Sequence, residues 1–254
     1  IFNPEDLNAL EQALRLKEQN PGSTVGILTM GPPRAAEVIR QGLYRGADTG
    51  WLLTDRLFAG ADTLATSYAL ATAIKKIGDV DVVIGGRQAI DGDTAQVGPQ
   101  VAEKLGLPQI TYAEEILDLS DNKITVKRRL ERGVEVVKGS LPMLVTVDGS
   151  APNCRTRHAK LTLKYKHAAT PSERQESGSD YTNLYDAHPY LNITEWGVND
   201  IEHDIQWLGL TGSPTKVKQI ENVVFTAKES KRLTADDVEI EDLMKELIAN
   251  HTIG

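Results

Sequence analysis

The sequence predicts an α/β protein: a mostly parallel sheet, a later antiparallel hairpin and an extended C-terminal arm. Three observations predict it. Short apolar runs alternate with amphipathic segments of helical length through the first half of the chain, the pattern of βαβ units. A turn cluster, Ser120-Asp121-Asn122-Lys123, separates two strand-like runs, which reads as a hairpin. Beyond Pro214 the chain turns more polar and closes on one isolated amphipathic stretch.

The elements follow in order. Asn3 is placed to cap a first helix, with Pro4 at its first position and Glu5 and Asp6 at the positive end of its dipole. Leu7, Leu10, Ala13 and Leu14 then recur at helical spacing until Asn20-Pro21-Gly22 stops the helix. Thr24 to Thr29 reads as a buried strand. Gly31-Pro32-Pro33 turns into a second helix carrying Ala35, Ala36, Val38, Ile39 and Leu43. Trp51-Leu52-Leu53 forms a short strand, and a loop from Thr54 to Asp62 leads to an alanine-rich third helix, Thr63 to Ile77. A strand from Val80 to Ile84 feeds a glycine loop and a fourth helix ending near Leu105. The hairpin pairs Ile116–Leu119 with Ile124–Arg129, and Leu144–Val147 is a further strand. From Gly149 to about Asp180 the periodicity is poor. Arg155, Arg157, His158, Lys160, Lys164, Lys166 and His167 make that stretch basic, and Ser172 to Asp180 is polar and turn-rich. A last helix takes Thr234 as cap, with Asp237 three residues on, and carries Val238, Leu243, Met244, Leu247 and Ile248. The expected division is an α/β domain over 1–212 and an arm over 213–254.

Bulk properties exclude several classes. The 254 residues are 40% hydrophobic and 25% charged, as in ordinary soluble proteins. A formal charge of -8 argues against a nucleic-acid binder, which needs a basic surface. The single cysteine, Cys154, permits neither an internal disulfide nor a cysteine-rich metal site, and fits a reducing cytoplasm. No apolar run approaches the ~20 residues that span a bilayer, and no secretory leader is present. No membrane association is expected. Because the chain starts at Ile1 in a run that opens a helix, preceding residues are expected.

Parallel crossovers are right-handed, so the loops at the strands' C-terminal ends share one edge, where ligands usually bind. Three loops there could carry chemistry. The strongest is Gly85 to Gly98, which leaves a strand through two glycines and enters a helix. Glycines allow close backbone approach, and helix-start N–H groups favour phosphate oxygens. Thr94 and Gln96 could add hydrogen bonds, and Arg87 a cation. The plain alternative is a βα turn in which Asp91, Asp93 and Thr94 only cap the helix. On spacing alone the two readings are even. The second loop, Asp55 to Ser67, puts Thr63, Thr66 and Ser67 on a helix's first turns, with Asp62 or Thr63 as a cap in the plain reading. Thr29-Met30-Gly31-Pro32 is the third, where Met30 could lie on an adenine face or simply fill core. No catalytic constellation and no metal-ligand spacing is present: the five histidines are scattered, and Cys154 has no activating motif. Any chemistry would belong to a bound cofactor.

These residues resemble the electron-transfer flavoprotein beta subunit. Gly86 to Gln100 (Gly-Arg-Gln-Ala-Ile-Asp-Gly-Asp-Thr-Ala-Gln-Val-Gly-Pro-Gln) is similar to that family's adenine-nucleotide signature. The resemblance extends over Asn3-Pro4, Thr29 to Pro32, Gly46-Ala47-Asp48, Leu208 to Pro214 and the ending Asn250 to Gly254. It implies a heterodimer with an alpha subunit that carries an FAD. In the non-bifurcating branch the beta subunit holds structural AMP; in the electron-bifurcating branch it holds a second FAD. Phe58 to Ser67 resembles the bifurcating type. There NADH gives a hydride to the beta-subunit FAD; one electron goes to ferredoxin or flavodoxin, the other through the alpha-subunit FAD to a flavin-dependent dehydrogenase. The resemblance implies cofactor contacts from Asn3, Met30, Gly31, Asp62, Thr63, Thr66 and Ser67. It implies others from Gly86, Arg87, Gln88, Ala89, Asp91, Gly92, Asp93, Thr94, Ala95, Gln96, Val97 and Gly98, with Arg87 near the isoalloxazine. Two departures stand out. The family's first strand does not precede Ile1, and Gly149 to His158 replaces the usual Asn-Glu-Pro-Arg-Tyr type run of the dehydrogenase-docking region. The expected partner is a flavin-dependent dehydrogenase, acyl-CoA or lactate-type: this departure points to one other than the usual acyl-CoA dehydrogenase, such as the lactate-type, and lineage drift in a solvated loop is an equal explanation. The arm is expected to pack its apolar stripe on the alpha subunit.

Overall fold

A computed structural model describes residues 1–177, 182–217, 230, 232–234 and 236–250. The chain divides into two units, Ile1–Lys216 and Val217–Gly254. The first begins with α1 (Pro4–Gln19), followed by β1 (Gly26–Met30), a 3₁₀ turn, and α2 (Ala36–Leu43). Next come β2 (Thr49–Leu53), α3 (Thr63–Ile77), β3 (Val82–Gly86) and α4 (Val97–Leu105). Strands β4 (Gln109–Ser120), β5 (Lys123–Leu130), β6 (Gly133–Ser140) and β7 (Met143–Val147) then run consecutively. Short helices α5 (Ala159–Lys164), α6 (Pro171–Ser177) and α7 (Thr182–Ala187) precede β8 (Thr194–Trp196).

The expected α/β architecture is present, but its strands fall into two sheets rather than one. A three-stranded sheet in the order β1-β2-β8 is parallel throughout. A five-stranded sheet runs β3-β7-β4-β5-β6, with β3, β7 and β4 parallel and β5 and β6 antiparallel. Strand β7 lies inside this sheet and is buried at every residue, as a parallel strand covered on both faces should be. Ile110, Ile124, Val126, Val145 and Val147 form the core with Ala9 and Leu16 of α1. Ile39 and Leu43 of α2 pack with Leu52 and Ile193 of the other sheet. The buried alanines of α3, at 65, 69, 71 and 73, carry little bulk, which lets neighbouring elements approach closely.

The hairpin is the start of a three-stranded meander. Strand β6 escaped the sequence reading because its alternation faces the wrong medium: Val134 and Val136 are 54% and 60% exposed. Its register, from Lys123↔Ser140 to Leu130↔Gly133, is held by the ladder with β5 rather than by burial. Strand β8 is three residues long, too short to show a period. The poorly periodic stretch after Gly149 contains short helices and is tied to α1 through Arg155, which bonds Glu11 at 2.9 Å and also pairs with Glu18. Residues 178–181, within the polar stretch, and His251 to Gly254 of the ending lie outside the described residues.

In the second unit, α8 (Asp237–Ala249) is capped by Asp236, whose side chain accepts from the Val238 N–H. Thr234, the expected cap, instead donates its hydroxyl and its N–H to Glu239, at 2.9 and 2.7 Å. Val238, Ile240, Met244 and Ile248 are exposed along the helix. Among the described residues, no helix is long and apolar enough to cross a membrane.

Candidate functional site

Strand β3 ends at Gly86, and only glycine fits there. A Cβ would lie 2.8 Å from the Asp6 nitrogen and the Glu5 carbonyl carbon, so its absence lets the first turn of α1 rest on the strand end. That turn then binds the loop. Gly86 N–H donates to Asp6 Oδ1 at 2.6 Å, and Gln88 N–H to Glu5 Oε2 at 2.9 Å. Asn3 occupies the cap position of α1 but makes no capping bond with its side chain. It accepts from the Ile90 N–H at 3.2 Å and donates to the Gln88 carbonyl at 2.9 Å. Burial pushes the Asp6 carboxyl above its ordinary range, against the Gly86 N–H and the Asn3 amide. Three N–H groups of the loop are thus occupied by the protein itself.

Arg87 is similarly engaged. Its N–H bonds the Val147 carbonyl at 2.8 Å, and its guanidinium meets Glu5 at 2.9 Å and Asp148 at 3.7 Å. The Tyr112 ring centroid lies 5.6 Å from it. The hydrogen bond to Glu5 raises its pKa further, against partial burial.

Beyond Arg87 the loop opens. Asp93 and Ala95 are both left-handed (φ 52 and 53), and the Asp93 N–H bonds the Ala89 carbonyl at 3.0 Å. Helix α4 follows without a capping side chain, because Gln96 Oε1 instead accepts the Thr63 hydroxyl at 3.0 Å. Pro99 has no N–H, so Val97 and Gly98 carry the open donors of this helix start. Among the described residues neither N–H has a partner. A Cβ on Gly98 would sit 2.5 Å from the Thr146 methyl, so glycine sets α4 flush against β7.

The start of α3 is closed by contrast. Asp62 Oδ1 accepts from the Leu64 and Ala65 N–H groups at 3.0 and 3.1 Å. Its Oδ2 accepts from the Thr215 hydroxyl and N–H at 2.8 and 3.1 Å, and its own N–H donates to Ser213 Oγ at 2.8 Å. Burial alone would raise this carboxyl, but the bonds from Ala65, Thr215 and Leu64 hold it below the ordinary range. Side chains join the two helix starts: besides Thr63–Gln96, Ser67 Oγ donates to Gln100 at 3.1 Å, and Gln100 donates to Thr63 at 3.4 Å.

The fold therefore gathers Asn3 with Gly86 to Ile90, and Thr63 and Ser67 with Gln96 and Gln100, while Asp62 caps α3 and Gly98 packs on Thr146. Gln88 reaches Asp93 through its side chain. Ala89, Asp91, Gly92 and Thr94 are exposed on the loop, and the Thr66 N–H makes an ordinary helical bond to Asp62. Met30 packs on the core cluster of Leu53 and Phe58, and the Gly31 N–H bonds the Leu53 carbonyl at 3.0 Å. Among the described residues no hydrogen bond joins these two to the 86–98 loop. Sequence reasoning missed Glu5, Asp6, Tyr112, Asp148, Ser213 and Thr215. Glu5 and Asp6 passed for dipole acids. Of the others, only Ser213 falls in a run that the sequence singled out, Leu208–Pro214: left-handed Gly209 (φ 49) packs on the Leu57 carbonyl, where a Cβ could not fit, and Ser213 Oγ bonds the Gly209 carbonyl at 2.6 Å and accepts the Asp62 N–H.

Comparison with known proteins bears on this edge. Residues 1–171 match the model of the electron transfer flavoprotein domain. The chain is 44% identical over 217 residues to the caffeyl-CoA reductase–Etf complex subunit CarD of Acetobacterium woodii, covering 85% of this chain and 74% of that one. It is 42% identical over 258 residues to FixA of Sinorhizobium fredii, covering 98% and 82% respectively. The beta subunit of the electron transfer flavoprotein of Megasphaera elsdenii is 41% identical over 226 residues, covering 87% and 75%.

Proposed function

The chain belongs to the electron transfer flavoprotein family, as a beta-type subunit, and on that premise we propose that it holds FAD at this edge, beside an FAD-bearing alpha subunit. One observation carries the proposal: the open start of α4, with the unpartnered N–H groups of Val97 and Gly98 and no capping side chain, suits a phosphate. Thr94 and Gln96 flank it, and Asp91 and Asp93 suit ribose hydroxyls better than phosphate. Thr63 and Thr66 extend the cradle toward α3, with Asp62 and Ser67 fixing that helix. Arg87, beyond the reach of the phosphates, faces the flavin ring, and Met30 and Gly31 border the adenine.

The chemistry such a cofactor supplies is hydride acceptance from NADH and onward delivery of single electrons, one to ferredoxin or flavodoxin and one through the alpha-subunit FAD. The chain's own residues bind and orient; none acts covalently. The last recipient is a flavin-dependent dehydrogenase, acyl-CoA or lactate-type, and a relative named for a reductase–Etf complex supports a partner of this kind. A cytoplasmic setting accords with Cys154, whose thiol burial pushes up and keeps unreactive. The arm, with α8, packs on the alpha subunit.

A second reading has one observation in its favour. Because Asp62 closes α3, of the two joined helix starts only that of α4 is open, which suits the single phosphate of AMP. Nucleotides released from the purified heterodimer decide between them. Two FAD and no AMP per heterodimer is the expected result; one FAD and one AMP would replace the first reading with the second.

A further inference from the structure

Arg87 is held by groups from three separate parts of the chain. Its backbone N–H is tied to the Val147 carbonyl at the end of β7. From α1, Glu5 faces the guanidinium with both oxygens, at 2.9 Å from Nη2 and 3.4 Å from Nε. The second of those oxygens also accepts the Gln88 N–H, so the carboxylate is itself fixed. Asp148 Oδ2 stands 3.7 Å from Nε. The Tyr112 ring lies over the remaining side, from a residue at φ 59, a conformation disfavoured for any side chain. That backbone sits where the β4–β7 register slips between Ile110 and Ala113.

Two carboxylates, Glu5 and Asp148, face this one guanidinium and offset its charge. A phosphate therefore gains little from Arg87, which leaves this end of the site for an uncharged ring. We infer that Glu5 is a positioning residue for electron transfer: it fixes the Arg87 guanidinium and cancels its charge, so that the flavin ring meets a neutralised edge. This rests on the reading that FAD occupies the site with its ring toward Arg87.

The test is Glu5→Gln in the intact heterodimer. The amide oxygen still accepts the Gln88 N–H, but the charge of Arg87 is uncovered, and a reduced flavin, being the more negative form, is favoured. Spectroelectrochemical titration should show one of the two flavins shifted about tenfold toward reduction at fixed potential, ~30 mV for a two-electron couple. Adding Arg87→Gln should reverse the shift. Asp148→Asn, which leaves α1 untouched, should move the same flavin in the same direction and serves if Glu5→Gln assembles poorly. Two bound flavins whose potentials ignore both Glu5→Gln and Asp148→Asn would overturn the inference while leaving the FAD reading intact. AMP in place of the second flavin would overturn both.

Discussion

At the start of α3 a single carboxylate serves two segments, capping the helix with one oxygen and holding Thr215 with the other. Asp62→Ala should therefore lower unfolding stability by about 1–2 kcal/mol, the usual cost of a lost cap, whereas Asp62→Asn, which keeps a capping oxygen but loses the acceptor for Thr215, should cost about 1 kcal/mol. Urea unfolding midpoints check this. Acid behaviour follows from a second carboxylate. Burial would raise Glu11, but hydrogen bonds from Arg155 and Arg15 hold it down at about 2, against an ordinary 4.5. Its folded value is depressed, so its contribution is complete above 4.5 and fades as the pH falls toward 2. The Glu11 side chain is only 6% exposed, and Arg155→Ala leaves its charge with Arg15 alone. We expect a loss of about 3 kcal/mol at pH 7. The gap from wild type should close as pH drops through that window, in unfolding curves measured at several pH values. Legibility at this scale was uneven. The cap reading of Asp62 could be stated from sequence, because Asp before a helical run has a local cause. The roles of Asn3, Glu5 and Asp6 could not, because their partners in the loop lie 80 to 87 positions away.

Helix α4 is positioned by what Gly98 lacks. Gly98→Ala gains about 1 kcal/mol in helix propensity but drives a methyl into Thr146, an overpacking that costs about 1–3 kcal/mol. Pushing α4 off β7 should also weaken nucleotide retention. Thr146→Ser removes the opposing methyl, so the double variant should regain both stability and bound nucleotide, read by thermal melts and flavin absorbance. The helices α1 and α3 were legible because start signals, breakers and period agree over 16 and 15 residues, and the shorter α4 because it follows a strand and a glycine loop. Strand β6 was not, since its apolar side chains face solvent, and β8 was too short to carry a pattern. The division into two sheets is a matter of long-range pairing, which no local pattern specifies.

For the molecule as a whole, the βα alternation gave the architecture and the common edge, and the Gly86–Gly98 signature gave the family. What it could not give was which helix start is open, because that depends on Asp62 meeting Thr215 from the far end of the unit. The arm belongs to this scale. With Val238, Ile240, Met244 and Ile248 exposed, α8 presents an apolar surface that the proposed packing on the alpha subunit would cover. Deleting residues 234–254 should prevent assembly with the alpha subunit in size-exclusion chromatography; unchanged assembly would sink that assignment. The central claim, that an adenine nucleotide rests on the start of α4, is tested most directly by amide hydrogen exchange on the heterodimer with and without its nucleotide. The account predicts strong nucleotide-dependent protection at Val97 and Gly98 and none at Leu64 and Ala65, whose N–H groups Asp62 already holds. Exchange at Val97 and Gly98 that is the same in both states would contradict it.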